Sequence, residues 1–177
     1  AIAYAGREIL SHFNLEIENG ERIALCGKNG CGKSSLLKLI LGELAPSQGS
    51  VRLASGLRLS YVPQNSAFLR GSLREYAQKQ GLEEALFKAI LRQLDFSRLQ
   101  FEKDMADFSA GQKKKVLLAQ SLCQEAHLYI WDEPLNYIDV LSRMQIEELI
   151  LAHRPTLLFV EHDAAFVRRA ATGTLAL

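Results

Sequence analysis

Residues 27–34 of this 177-residue chain, Gly-Lys-Asn-Gly-Cys-Gly-Lys-Ser, combine glycines, a lysine and a hydroxyl at a spacing that suits phosphate binding. They match the pattern G-x-x-x-x-G-K-[ST] and lie between a strand-like run and a helix-like run. Glycines let backbone N–H groups surround phosphate oxygens, Lys33 would reach the β and γ oxygens, and Ser34 would bind Mg²⁺. The pattern therefore predicts a nucleoside triphosphate site, whose expected contacts are Gly27, Asn29, Gly30, Cys31, Gly32, Lys33, Ser34 and Ser35.

A second chemical segment is the apolar run 128–131, which ends in Asp132 and Glu133. In phosphate-loop enzymes the acid at such a strand end bonds Mg²⁺, and a neighbouring acid can orient an attacking water. We therefore predict that Asp132 is a metal-side residue and that Glu133 is the general base. Two solvated acids before a proline turn are the alternative, which the phosphate loop disfavours.

Two more polar residues follow strand-like runs. Gln64 comes after residues 58–62, and His162 comes after residues 157–160. Because the carboxyl ends of parallel strands meet at one edge of a sheet, we expect both residues to approach the triphosphate. A neutral amide at Gln64 would touch Mg²⁺ or the water, and His162 would reach the γ-phosphate.

Hydrophobic periodicity predicts the elements that position these residues. Strand-like segments recur in the first third of the chain, around residue 4 and at 9–10, 13–17, 23–26, 50–53 and 58–62. Residues 72–99 change to a helical period, with one apolar face formed by Leu82, Leu86, Phe87, Ile90 and Leu94. Strands at 127–131 and 156–160 then alternate with helices at 110–122, 140–152 and 164–171. This alternation favours a parallel sheet covered by helices.

Composition narrows the class of protein. A net charge of +1 gives no electrostatic case for direct binding of DNA, and no apolar run is long enough to span a membrane. The three cysteines have neither disulfide nor zinc spacing, which favours a reducing cytoplasm. The chain begins at Ala1 within a strand-like run and stops in another apolar run. We therefore expect it to be a piece of a longer protein.

The decisive motif is residues 108–112, Phe-Ser-Ala-Gly-Gln, which opens the predicted helix before the strand that ends in Asp132. With the phosphate loop and the acid pair, it resembles the signature of the ATP-binding-cassette (ABC) superfamily. The resemblance implies that the signature contacts ATP held by an opposing cassette, so that two cassettes enclose two ATP molecules with Mg²⁺. The signature residues are Ser109, Ala110, Gly111 and Gln112, with Ala110 in place of the commoner glycine.

The same resemblance covers nearly the whole chain and gives other residues a role. It implies that Tyr4 stacks on adenine, although a core strand position is the alternative for this residue. Gln64 matches the Q-loop, His162 matches the switch histidine, and residues 135–139 match the D-loop with Asp139 at its end. The implied fold is an α/β P-loop NTPase forming one ABC nucleotide-binding domain over 1–177. It has a RecA-like core (1–65 and 124–177), an N-terminal antiparallel β subdomain and a short helical subdomain (66–123).

The branch of the superfamily is suggested by residues 133–139 and 160–166, which look more like the ABC-F proteins. Residues 131–147 are especially similar to the antibiotic-resistance members of the Lsa and Vga type. This implies a cytoplasmic ATPase that pairs with a second cassette, in the same chain or as a homodimer. In the full-length protein it would act on the ribosome and displace an antibiotic.

Two other functions compete with the ABC-F interpretation. The alternative is the nucleotide-binding subunit of an ABC membrane transporter, which would dock on a membrane domain. Residues 100–107 lack the acidic, glycine-containing element usual there in transporters. A chromosome-maintenance protein would need a long coiled coil before the signature, and the intervening stretch is too short.

The run Lys113, Lys114 and Lys115 is expected by default to form a solvated helix face, and its role is open.

Overall fold

Five parallel strands form the central sheet, in the order β4-β5-β6-β3-β7. The computed structural model describes the backbone of residues 2–4 and 7–10, and both backbone and side chains over residues 14–177. The strands of the sheet are β3 (Arg22–Cys26), β4 (Leu59–Val62), β5 (Leu128–Asp132), β6 (Leu157–Val160) and β7 (Gly173–Ala176). Ahead of them, β1 (Ile2–Tyr4) and β2 (Arg7–Leu10) pair in the antiparallel direction. The predicted parallel sheet and N-terminal antiparallel strands are confirmed.

Helices cover both faces of this sheet. They are α1 (Lys33–Ile40), α2 (Leu73–Lys79), α3 (Glu84–Gln93), α4 (Ala110–Cys123), α5 (Val140–His153) and α6 (Ala164–Ala170). Two short 3-10 helices, Arg98–Glu102 and Met105–Asp107, lead into α4. In the described part of the chain, every helix is too short or too polar to cross a lipid bilayer.

The alternation of side chains along the central strands explains why both faces are covered. In β5, Ile130 joins a core cluster with the apolar residues of α1, whereas Trp131 joins a larger cluster with residues of α3 to α6 on the opposite face. Phe159 and Val160 divide between the same two clusters from β6. Strands that bury both faces in this way are typical of parallel sheets between helix layers. Their carboxyl ends consequently meet along one edge.

Two of the predicted strands are wrong. In the described structure residues 50–53 form no strand, and all four side chains are exposed, including Leu53 at 46%. Without a buried face, the alternating pattern has nothing to fix its register against a neighbouring strand. For the prediction at 13–17, residue 13 lies outside the described residues and residues 14–18 form no strand, although Leu15 and Ile17 pack on the core.

The helical region between β4 and α4 follows the predicted apolar face with one correction. Phe87, Ile90 and Leu94 are buried as expected, and Leu82 is partly buried. Leu86, however, is 42% exposed, and Leu91 is buried in its place. The face of α3 that packs against α4 is therefore rotated relative to the pattern read from the sequence.

Candidate active site

The phosphate loop connects β3 to α1, as the sequence predicted. Gly32 adopts φ +107° at the start of the helix and Gly30 adopts φ +80°, both in the left-handed region that favours glycine. Within residues 14–177, no side chain caps the start of α1 and its first turn contains no acid. The unpaired N–H groups of that turn are therefore free to bind an anion.

Lys33 is folded back onto its own loop. Its ammonium group donates to the carbonyl oxygen of Gly27 at 2.8 Å and to that of Lys28 at 3.0 Å, and the residue is 7% exposed. These two carbonyl oxygens hold the ammonium group of Lys33 inside the phosphate loop. A phosphate bound in the loop would contact this ammonium group directly.

Asp132 lies at the end of β5 and faces the loop. It is 3% exposed, it is hydrogen-bonded by the Ser34 hydroxyl, and its Oδ1 atom has no hydrogen-bond partner among the described residues. Burial raises the pKa of this carboxyl, and Glu133 adds to that effect, while the Ser34 hydrogen bond and Lys114 and Lys33 oppose it. An orphaned carboxylate oxygen next to a hydroxyl fits a hard cation, because Mg²⁺ is held by oxygen ligands.

Among the residues described, no group of three or more His, Cys, Asp and Glu side chains is arranged around a common point. In nucleotide enzymes Mg²⁺ is commonly bound by one or two protein oxygens, and water and substrate phosphates complete its ligands.

Glu133 is the centre of a polar cluster at the same edge. Its backbone adopts φ +49°, which is rare for a residue with a Cβ atom and common where a site imposes its geometry. The Gln64 amide donates to Oε2 at 2.8 Å, and Nε2 of His162 lies 3.5 Å from Oε1. The predicted base, Q-loop amide and switch histidine are thus in contact, although they come from three different strand ends.

Two further residues in this cluster were not singled out from the sequence. The Asn136 amide donates to the same Oε2 atom of Glu133. Glu161 is 7% exposed and accepts from three backbone N–H groups, those of Leu135 at 3.2 Å, His162 at 2.7 Å and Asp163 at 3.3 Å. Glu161 therefore joins the turn after β6 to the turn after β5. A carboxylate at the end of an apolar strand was the available signal for Glu161.

The signature segment begins α4 with a reciprocal cap. The Ser109 hydroxyl accepts from the backbone of Gln112 at 3.2 Å, and the Gln112 side chain accepts from the backbone of Ser109 at 2.9 Å. Ala110 is exposed and Gly111 is buried. A Cβ atom on Gly111 would lie 2.3 Å from the Tyr137 carbonyl oxygen, so the D-loop backbone rests directly on the signature glycine.

The lysine run corrects the expectation of a solvated helix face. Lys113 is only partly exposed, Lys114 is 1% exposed and Lys115 is 7% exposed. Lys114 bonds the carbonyls of Pro63 and Gln64, while Lys115 pairs with Asp139 at 2.7 Å. Because α4 packs under the Q-loop and the D-loop, two of the three ammonium groups point into the protein rather than into water.

Asp139 connects the D-loop to both neighbouring helices. It caps α5 by accepting from the backbone N–H of Ser142 at 2.8 Å, and its other oxygen bonds the Ser142 hydroxyl and Lys115. Partial burial works to raise the pKa of Asp139, but the Lys115 ammonium and the two Ser142 donors lower it to about 2. The carboxylate is therefore charged throughout the neutral range.

The predicted site residues consequently form two groups. Lys33, Ser34, Gln64, Asp132, Glu133 and His162 surround the carboxyl edge of the sheet, whereas Ser109, Ala110, Gly111, Gln112 and Asp139 lie where α4 meets the D-loop. The hydrogen bonds described for Ser109 and Gln112 remain within their own helix start. The side chain of Tyr4 lies outside the described part of the chain.

Comparison with known proteins identifies the family to which this geometry corresponds. The family model described as ABC transporter matches residues 10–136. ATP-binding protein Uup of Buchnera aphidicola is 33% identical and aligns with 92% of this chain and 29% of its own length. Ribosome protection protein VmlR of Bacillus subtilis is 31% identical, over 99% of this chain and 32% of its own length. The chain thus spans about a third of these relatives.

Solved structures give the same fold. One described as the ATP binding subunit of an ABC transporter superposes with a TM-score of 0.82 at 28% identity, over 99% of this chain and 82% of that chain. RNase-L Inhibitor superposes with a TM-score of 0.76 at 26% identity, over 90% of this chain and 32% of that chain.

Proposed function

Since the chain belongs to the ABC transporter family of ATP-binding domains, we propose that it is one ATP-hydrolysing cassette of an ABC-F protein that acts on the ribosome. The observation that carries the hydrolytic part is the cluster around Glu133. A carboxylate in hydrogen-bonding contact with Gln64 and 3.5 Å from His162, beside a phosphate loop, is suited to activating water at a γ-phosphate.

ATP binding falls to the phosphate loop. The free N–H groups at the start of α1 and the ammonium group of Lys33 complement the charge of the triphosphate. To reach the β and γ oxygens, Lys33 exchanges its bonds to the Gly27 and Lys28 carbonyls for bonds to phosphate. Since those carbonyls are neutral and phosphate is anionic, the exchange favours the bound state.

Mg²⁺ would be held by Asp132, Ser34 and Gln64 together with phosphate oxygens. The ion would neutralise charge on the phosphates and orient them for attack. Asp132 supplies the buried, unpaired oxygen for this purpose. The amide oxygen of Gln64 would bind the ion, while its amide nitrogen donates to Glu133.

Glu133 would take a proton from the attacking water, and His162 would stabilise charge on the γ-phosphate. Asn136 and Gln64 both donate to Oε2 of Glu133, leaving Oε1 on the side of His162. The backbone at Glu133 is left-handed, immediately after β5 ends at Asp132. These contacts orient the base before the substrate arrives, which is where positioning contributes to the rate.

A second cassette would complete the site. Ser109 and Ala110 at the start of α4 are exposed and would supply the signature that contacts ATP on the opposing cassette. An apolar group beside Asp139 supports a partner surface here, since its members are 50% to 78% exposed: Tyr137, Val140, Leu141 and Met144. The partner would be another cassette of the same chain or a second copy.

The ribosomal role rests on the relatives. VmlR is named a ribosome protection protein, and it aligns with 99% of this chain. We extend this to the full-length protein, with antibiotic resistance of the Lsa and Vga type as the finer proposal. The alternative is the nucleotide-binding subunit of an ABC membrane transporter. It is favoured by the superposition on a transporter subunit with coverage of 82% of that structure.

Co-sedimentation of the full-length protein carrying Glu133→Gln with bacterial ribosomes, with and without ATP, tests this proposal. The variant keeps the phosphate contacts and removes the base, so we expect it to pellet with ribosomes only when ATP is present. Lys33→Ala in the same background is the control, since it should remove the response to ATP. Confirmed ATP binding without ribosome association would reject the ABC-F proposal and favour a transporter subunit.

A further inference from the structure

Lys114 is an ammonium group buried beneath the candidate active site. It lies in the second turn of α4, is 1% exposed, and donates to the carbonyl oxygens of Pro63 at 2.8 Å and Gln64 at 2.9 Å. These two residues form the segment immediately after β4. A buried lysine is costly to maintain unless its charge and its hydrogen bonds are compensated.

Partial compensation comes from the site itself. Burial lowers the pKa of Lys114, and the carboxylates of Asp132, Glu133 and Glu161 oppose that shift in part by favouring the charged form. The ammonium group therefore hydrogen-bonds a pair of backbone carbonyls and is attracted by the charge of three acids. Its charge also reduces the mutual repulsion of acids that must coexist near the phosphates.

We propose that Lys114 is a positioning residue for ATP hydrolysis, which fixes the backbone of Gln64 so that its amide holds Glu133. Two contacts connect Lys114 to Glu133. Lys114 holds the carbonyl of Gln64 at 2.9 Å, and the side chain of the same Gln64 donates to Oε2 of Glu133 at 2.8 Å. This inference rests on the proposed hydrolysis at Glu133.

The contact also links the signature helix to the base. Ser109 caps the helix in which Lys114 lies, so a shift of α4 moves the carbonyls that Lys114 holds. Lys113 and Lys115 do not make the contact that Lys114 makes. Lys115 is paired with Asp139 on the D-loop, and Lys113 lines a surface groove that Asn65 also lines.

The first test compares Lys114→Met with Lys79→Met, an exposed lysine of α2, in the full-length protein. We expect Lys114→Met to lower kcat by about 10- to 100-fold, because small misplacements of catalytic groups have effects of this size. The equilibrium Kd for a fluorescent ATP analogue should change less than about threefold, as expected for an interaction that acts on chemistry rather than on binding. Turnover of Glu133→Gln is the baseline, and Lys79→Met should match the parent.

Hydrogen exchange without nucleotide tests the same contact independently of hydrolysis. We expect faster exchange of the amides in residues 61–69 of Lys114→Met, with unchanged exchange in the phosphate loop. If Lys114→Met does not fold, Lys114→Gln replaces it, since its amide retains a donor on a shorter arm and should give a smaller effect of the same kind. Unchanged exchange in residues 61–69 would overturn the inference even if the protein hydrolyses no ATP.

A double-mutant cycle separates positioning from general structural support. If Lys114 acts through Gln64, then Gln64→Ala combined with Lys114→Met should be no slower than Gln64→Ala alone. Multiplicative losses of kcat would show that Lys114 acts elsewhere and would overturn the inference. Failure of the parent protein to hydrolyse ATP above the Glu133→Gln baseline would instead reject the proposed function.

Discussion

At the scale of single residues, the site is organised around charges that are held by backbone atoms. Lys33 rests on two carbonyls of its own loop, and Lys114 rests on two carbonyls of the Q-loop. Glu161 shows the reverse arrangement, with three backbone N–H groups on one carboxylate. Backbone partners have little conformational freedom, so these charged groups start from defined positions.

Lys33→Ala tests the assignment of the phosphate loop. Removing the ammonium group deletes charge-assisted hydrogen bonds to phosphate, and we expect ATP affinity to fall by about 10- to 100-fold. Isothermal titration with ATP measures the loss. Lys38→Ala, on the exposed side of α1, serves as the matched control and should bind ATP like the parent. Equal affinity of the Lys33 variant would contradict the assignment.

Asp139→Asn tests the charge of the D-loop carboxylate through pH. The folded-state pKa of about 2 lies below the usual value of 3.8, so its charge contributes stability above about pH 4. That contribution is lost as the pH falls from about 4 towards 2. Asparagine keeps the capping oxygen, so the variant should unfold more easily in urea at pH 7 and approach the parent in acid. A difference that is constant from pH 7 to pH 3 would contradict the assigned pairing with Lys115.

At the scale of elements, α4 carries the signature residues and contacts both the Q-loop and the D-loop. Its first residues are the signature, Lys114 reaches the Q-loop, Lys115 reaches the D-loop and Gly111 supports the carbonyl of Tyr137. A rigid displacement of this helix would therefore reach both loops at once. Its capping box fixes the residue at which the helix begins, and hence the direction in which each of these side chains projects from the helix.

Gly111→Ala tests the close approach of the D-loop to α4. The added Cβ atom would lie 2.3 Å from the carbonyl oxygen of Tyr137, so the backbone must shift. We expect a loss of about 1–3 kcal/mol in the free energy of unfolding, as for other overpacked sites, even though alanine favours helices. Urea denaturation measures it. Ala110→Gly, at the exposed neighbouring position, should cost about 1 kcal/mol or less.

At the scale of the whole molecule, the two groups of site residues imply different partners. The sheet edge provides the phosphate loop and the base, while the signature is presented at the start of α4 beside exposed apolar side chains such as Val140 at 72%. If the signature acts on ATP of another cassette, one cassette is an incomplete enzyme. This is the geometric reason for expecting slow turnover from the chain alone.

Dependence of turnover on protein concentration tests this expectation. We expect ATP hydrolysis per molecule to rise with the concentration of the 177-residue chain, because the proposed active form is a pair. A colourimetric phosphate assay across a wide dilution series measures it. Glu133→Gln with ATP should give the larger species in size-exclusion chromatography, and strong turnover that is independent of concentration would contradict the paired site.

The sequence allowed prediction of those features that depend on residues close together in the chain. The phosphate loop, the acids after β5 and His162 after β6 could be located because each follows an apolar run, and the parallel sheet then brings the strand ends to one edge. The contacts of Lys114 could not be predicted, since its partners lie 50 and 51 residues away in the chain. The strand predicted at residues 50–53 is wrong for a different reason. Its alternating pattern suits a strand with one buried face, but all four side chains are exposed.

The position of β3 within the sheet bears on how the protein is made. β3 leads into the phosphate loop, yet its neighbours on both sides are β6 and β7, which are synthesised well after it. During translation, the loop at residues 27–34 would wait with its strand unpaired until residues 157–176 leave the exit tunnel. We therefore expect a nascent chain arrested before residue 157 to have no affinity for ATP, because β3 then lacks both of its neighbouring strands.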